Sequence, residues 1–169
     1  MITSILPSPK LKSPVKTILL SGFTAGTLDI LAAFFVYSVL MQVVSPIQIL
    51  GHVASGVFGK TIIGNETTTA LIGLLFHFTI ALVFATAYFF VYPYVKFLHY
   101  NKIISGLLYG MFVWLIMNFV VVPLSNASHA PFALNSALRA ALILMLCIGL
   151  PISFIIAKHY EAKPDGLIQ

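Results

Sequence analysis

Four stretches of this chain are apolar for long enough to cross a lipid bilayer, and nothing else in the sequence restricts its fold as much. A bilayer core is ~30 Å thick and a helix rises ~1.5 Å per residue, so about 20 apolar residues span it. Inside hydrocarbon every backbone N–H and C=O needs a partner within the protein, which leaves helices and closed barrels. No alternation of apolar and polar residues is sustained, so a barrel is not expected. The reading is all-α: a polytopic membrane protein, one membrane domain over 1–169, folded as a four-transmembrane-helix bundle. The spans are expected at about 17–41, 68–92, 103–122 and 134–157.

Composition agrees. Only 8% of the 169 residues are charged, against about 25% in a soluble domain. So few charges cannot cover a water-exposed surface. The net charge of +5 would suit a nucleic-acid binder, but the lysines are scattered beside apolar segments and build no basic face. Nucleic acid is therefore not an expected partner; the lipid bilayer is. Lys10, Lys12 and Lys16 precede the first apolar stretch as in a signal peptide. That stretch runs over 18–44 and contains Asp29, far beyond the about 7–15 residues of a signal core. An uncleaved first span is expected. Cys147 is the only cysteine, which excludes an internal disulfide and a thiolate cluster; it reads as a small packed hydrophobe.

Lysine placement sets the expected topology. Lys10, Lys12, Lys16, Lys96, Lys102, Lys158 and Lys163 fall on one side of the spans, and Lys60 alone falls on the other. The positive-inside bias then puts both termini in the cytoplasm, with Tyr92, Tyr94 and Tyr100 anchored at the headgroups. The outer segment 45–67 is apolar and glycine-punctuated. A short interfacial or re-entrant helix over about 46–58, with proline in its first turn, is the reading. A hydrophobic loop draped on the bundle is the alternative. Lys60 is expected to meet lipid phosphate at the outer interface. Ser21-Gly22-x-x-x-Gly26 and Ser105-Gly106-x-x-x-Gly110 are small-xxx-small patterns. Gly22, Gly26, Gly106 and Gly110 would let helices approach closely, with duplication of a two-helix unit as the alternative origin.

Asp29, His77, Asn118 and Arg139 interrupt the apolar spans and form a candidate intramembrane polar cluster. Asp29 lies ~17 Å into the first span and His77 ~14 Å into the second, a similar depth. Asn118 and Arg139 lie nearer the outer face, and Arg139 either snorkels outward or reaches down to Asp29. An isolated carboxylate in hydrocarbon is costly, so Asp29 is either protonated or paired. Two roles stay open: a structural pair with His77 or Arg139, and a proton relay through Asp29 and His77. Asn118 reads as a helix–helix hydrogen bond worth ~0.6 kcal/mol.

Little ordinary chemistry is visible. His52 and His129 fall in outer loops and His99 and His159 in cytoplasmic segments, without metal-site spacing; no metal is expected. There is no Gly-x-Ser-x-Gly elbow, no His-Glu-x-x-His and no pair of carboxylates, so no catalytic residue, no enzyme activity and no cofactor are expected. The segment 54–61 resembles a relaxed P-loop, but lacks the strand and magnesium-binding acid that one needs, so nucleotide is not expected. The sequons at Asn65 and Asn126 are read as chance.

One resemblance is carried by His77-Phe-x-Ile80, Val83-Phe-Ala85, Tyr88, Pro93, Gly106-Leu-Leu-x-Gly110 and Pro123-Leu124. Gly73-Leu-Leu-Phe-His77-Phe, Met117-Asn118-Phe-Val-Val and Pro123-Leu-Ser125 extend it. Over about 52–151 the chain resembles the YagU-like bacterial inner-membrane proteins, departing from their pattern in the outer segment after the first span. The resemblance implies a bacterial inner-membrane location and supplies no catalytic residues. The expected role is accessory or structural, with a homo-oligomer or another membrane protein as partner. The alternative is a small proton-linked transporter or channel using Asp29 and His77.

Overall fold

The computed structural model describes residues 13–59, 64–126 and 133–161, which are helical almost throughout and contain no strand. Four helices are long and apolar enough to cross a membrane: Pro14–Leu40, Glu66–Tyr94, Lys102–Leu124 and Leu134–Glu161, here spans 1 to 4. A shorter helix, Pro46–Phe58, connects spans 1 and 2, and a single turn and a half, Lys96–Tyr100, connects spans 2 and 3. The chain is a four-helix bundle of multi-pass membrane type. Lys60 and His129 lie outside the described residues, as do Lys10, Lys12 and Lys163.

Spans 2 and 3 begin at polar residues that cap them, and span 1 begins at a proline. Pro14 starts span 1 in the first helical position, where its missing N–H is no loss. Asn65 caps span 2 by accepting from the backbone N–H of Thr68, and Glu66 suits the positive end of the helix dipole. Asn101 accepts from Ile103 and Ile104 at the start of span 3. The connecting helix opens with a full capping box, Ser45 and Gln48 each bonding the other's backbone. Its far end is held from elsewhere: Asn126, beyond span 3, donates from its backbone N–H to Gly56 at 2.9 Å and from Nδ2 to Val57 at 3.0 Å.

Three spans widen locally into π-helix, over Phe34–Leu40, Met117–Val121 and Leu144–Gly149. The last two end just before Pro123 and Pro151. Proline has no N–H to give and its ring crowds the carbonyl four residues back, so the ladder shifts to i→i−5 ahead of it. Val122 accordingly donates to Met117, and Leu150 to Met145.

Packing is uneven along the membrane normal. The core cluster is Ala25, Ala85, Tyr88, Phe89, Tyr92, Val113, Ile148, Ile152, Ile156 and Ala157. It fills the half of the bundle nearer the end where Lys16, Lys102 and Lys158 lie, hereafter the lysine end. No residue of Phe34–Leu40 or of the stretch 117–124 is buried. Large apolar side chains such as Leu71, Leu75, Leu108 and Phe119 are more than half exposed, as a lipid-facing surface allows and a water-facing one does not.

Small residues bring the backbones together. A Cβ on Gly22 would sit 2.6 Å from Leu82, and one on Gly26 would sit 2.9 Å from Phe78, which fixes span 1 against span 2. A Cβ on Gly110 would strike Met145 and the Leu144 carbonyl, and one on Gly149 would strike the Gly106 carbonyl, which fixes span 3 against span 4. Gly73 makes the same approach to Leu50 of the connecting helix. Replacing Gly110 by Val is therefore expected to cost roughly 1–3 kcal/mol through overpacking. Gly51→Ala, whose added methyl meets nothing within 4 Å, is expected to leave stability unchanged or raised. Thermal unfolding in detergent compares the two; equal responses would rule out backbone approach as the determinant.

Candidate functional site

Gly22, Gly26 and Asp29 are spaced four and three residues apart and so share one face of span 1. Span 2 crosses that face, and the crossing delivers His77. Its Nε2 lies 2.8 Å from the carbonyl oxygen of Gly26. A carbonyl only accepts, so Nε2 carries the proton and donates. Asp29 sits one turn further along span 1, half-buried, and His77 is its electrostatic neighbour. No ion pair forms between them: among the described residues the ion pair within 4.0 Å is Lys102–Glu161. Asp29 and His77 thus occupy one site at one depth, while the hydrogen bond goes from His77 to backbone.

Cys147 of span 4 lies within electrostatic reach of Asp29. It was expected only to pack; it is half-buried and adds a third helix to the site. Asp29, His77 and Cys147 do not converge into a set able to hold a metal ion.

The other two polar interruptions lie apart. Arg139 donates from Nη2 to Ser136, one turn away on its own helix, at 3.1 Å. It makes no ion pair with Asp29. Asn118 is exposed and donates from Nδ2 to Trp114 at 2.9 Å, four residues back on its own span. The expected bond between helices is replaced by a local one: the short amide reaches its own helix's carbonyl while facing out of the bundle.

A second polar layer, toward the lysine end, ties the spans together. Tyr88 of span 2 donates to Ser153 of span 4 at 3.0 Å. That uses its only proton, so Ser105 of span 3 donates to the Tyr88 oxygen at 2.6 Å. Ser153 in turn donates to the Lys102 carbonyl at 2.9 Å. Tyr88, Ser105 and Ser153 are fully buried. Tyr109 donates to the Phe84 carbonyl at 2.6 Å and Tyr160 to the Phe89 carbonyl at 3.0 Å. At the end of the bundle the Thr17 hydroxyl and His159 Nδ1 share a hydrogen bond at 2.8 Å. His159, expected in a cytoplasmic segment, is buried within span 4, edge-on to Phe89.

Tyr92 is likewise a correction. It is 3% exposed and packs between Tyr88, His99 and Tyr160 rather than at the headgroups. Tyr94 and Tyr100 are 85% and 90% exposed. The hydroxyl layer escaped the sequence reading because Ser105 served there only as a small residue beside Gly106, and no pattern marked Ser153.

Tyr88→Phe is expected to leave two buried serines short of a partner and to cost about 0.6–1.7 kcal/mol, the range of interhelical bonds in membranes. Asn118→Ala, which removes only a local bond, is expected to stay within ~0.5 kcal/mol. Denaturation in mixed micelles distinguishes them, and a Tyr88→Phe variant as stable as the native chain would contradict the network's role.

No protein-family model matches the chain, and neither a curated protein nor a solved structure is similar to it at a significant level.

Proposed function

We propose that this chain is a small accessory or structural protein of the bacterial cytoplasmic membrane, with both termini in the cytoplasm. The observation that carries the reading is the hydrogen-bonded layer of Tyr88, Ser105 and Ser153, which joins spans 2, 3 and 4 inside a glycine-packed bundle. Opening a path through that layer would strand several buried polar groups, so a rigid scaffold suits it better than a moving one. The cytoplasmic placement of the lysine end is supported by seven lysines on that side against Lys60 on the other. The resemblance to YagU-like proteins supports the bacterial membrane. A scaffold of this size acts through association, with a second copy or another membrane protein as partner.

A second reading is a small proton-linked transporter or channel. It is favoured by Asp29, which makes no ion pair among the described residues and neighbours a histidine and a thiol at the middle of the bundle. Ionisable residues at that depth commonly mark proton or ion pathways.

Proton flux in liposomes carrying a pH-sensitive dye separates the two. A scaffold gives the same flux for the native protein as for Asp29→Asn and for empty liposomes. A flux present in the native protein and lost in the variant would replace the first reading by the second. Topology has its own check: a fluorescent protein that matures only in the cytoplasm, fused to the C-terminus, is expected to fluoresce.

A further inference from the structure

The lysine end has a feature independent of the Asp29 site. Among the described residues, Lys16, Lys96, Lys102 and Lys158 lie there with a single carboxylate, Glu161. Lys102 takes that carboxylate at 2.8 Å. Lys16, Lys96 and Lys158 are exposed and have no acidic partner among the described residues.

Packing collects these three at one rim. The Thr17–His159 bond sets the first turn of span 1 beside the last turn of span 4, and Lys16 and Lys158 are their neighbours in sequence. The Tyr92 ring touches both His99, at 4.4 Å between centroids, and Tyr160, at 5.0 Å. The Lys96–Tyr100 helix is thereby held against the same end of span 4. Tyr94 and Tyr100 flank Lys96 and are almost fully exposed. Exposed tyrosine beside lysine is the composition of a membrane–water boundary.

Uncompensated ammonium groups at that level attract phosphate. A zwitterionic headgroup carries its own ammonium and gains little from three more. A headgroup with net negative charge gains from each. At the opposite end the described charges, Glu66 and Arg139, balance. We propose that the rim formed by Lys16, Lys96 and Lys158 binds anionic phospholipid, with Tyr94 and Tyr100 seated at the headgroup boundary beside it.

Spin-labelled phosphatidylglycerol and spin-labelled phosphatidylcholine, each added to phosphatidylcholine vesicles holding the full chain, measure the preference directly. Electron paramagnetic resonance reads the motionally restricted fraction of each lipid. The native protein is expected to favour phosphatidylglycerol by about five-fold or more, the contribution of roughly one surface lysine. The preference should shrink at high salt. Lys16→Gln/Lys96→Gln/Lys158→Gln should bring it near parity, and the corresponding triple arginine variant should keep it. Should the triple glutamine variant fail to fold, the three single variants read the same quantity, each with a partial loss. Parity in the native protein, or an undiminished preference in the glutamine variants, overturns the proposal.

Discussion

Where spans 3 and 4 cross, backbone meets backbone, and the register of the bundle depends on that meeting. Lipid tails are as apolar as the side chains they would displace, so helices in a bilayer gain little by burying leucine against leucine. Close van der Waals contact and hydrogen bonds between helices must do it instead. Gly106, Gly110 and Gly149 remove the atoms that would hold the two spans apart. Ser105 precedes the first of these glycines and Ser153 follows the last by one turn. The crossing that seats the glycines therefore also sets both hydroxyls level with Tyr88, whose phenol joins the third helix to the pair. Gly22 and Gly26 do the same for spans 1 and 2, and the carbonyl of Gly26 becomes the acceptor for His77.

The two halves of the bundle consequently differ in kind. Toward the lysine end, aromatic and aliphatic side chains fill the space and the buried polar groups bond across helices. Toward the other end, spans 1 and 3 are π-wound and expose their side chains. Asp29 and His77 lie at the boundary between these regimes, which is where a carboxylate can be half-buried without a bonded partner and still be near a polar ring.

The fold was legible because membrane helices are written in long runs of apolar residues, and the four runs have no soluble interpretation. Their ends were less legible: Pro14, Asn65 and Asn101 extend the helices through polar residues that hydropathy counts as loop. Of the candidate site, the shared depth of Asp29 and His77 followed from counting residues along each helix. The failure of Asn118 to join them turns on direction around the helix axis, which depth does not determine and which apolar runs hide, since lipid-facing and core-facing positions carry the same residue types; Arg139 instead bonds Ser136 one turn away on its own helix. The same ambiguity concealed Tyr92 and His159, whose burial is decided by packing against Tyr160 and Phe89 at a distance in sequence. Hydroxyls bonded across helices leave no sequence spacing to recognise.

The clasp between Asn126 and the connecting helix has a consequence for biogenesis. The start of that helix is completed by residues within it, Ser45 and Gln48, but two of its final carbonyls are met by a residue 69 positions beyond Val57. A chain made from its N-terminus delivers span 1, the connecting helix and span 2 to the membrane ahead of Asn126. During that interval the end of the helix must borrow water or headgroups for its carbonyls. The first hairpin therefore reaches its finished form only after the third span has been threaded, and span 3 acts as the late closure of an assembly begun without it.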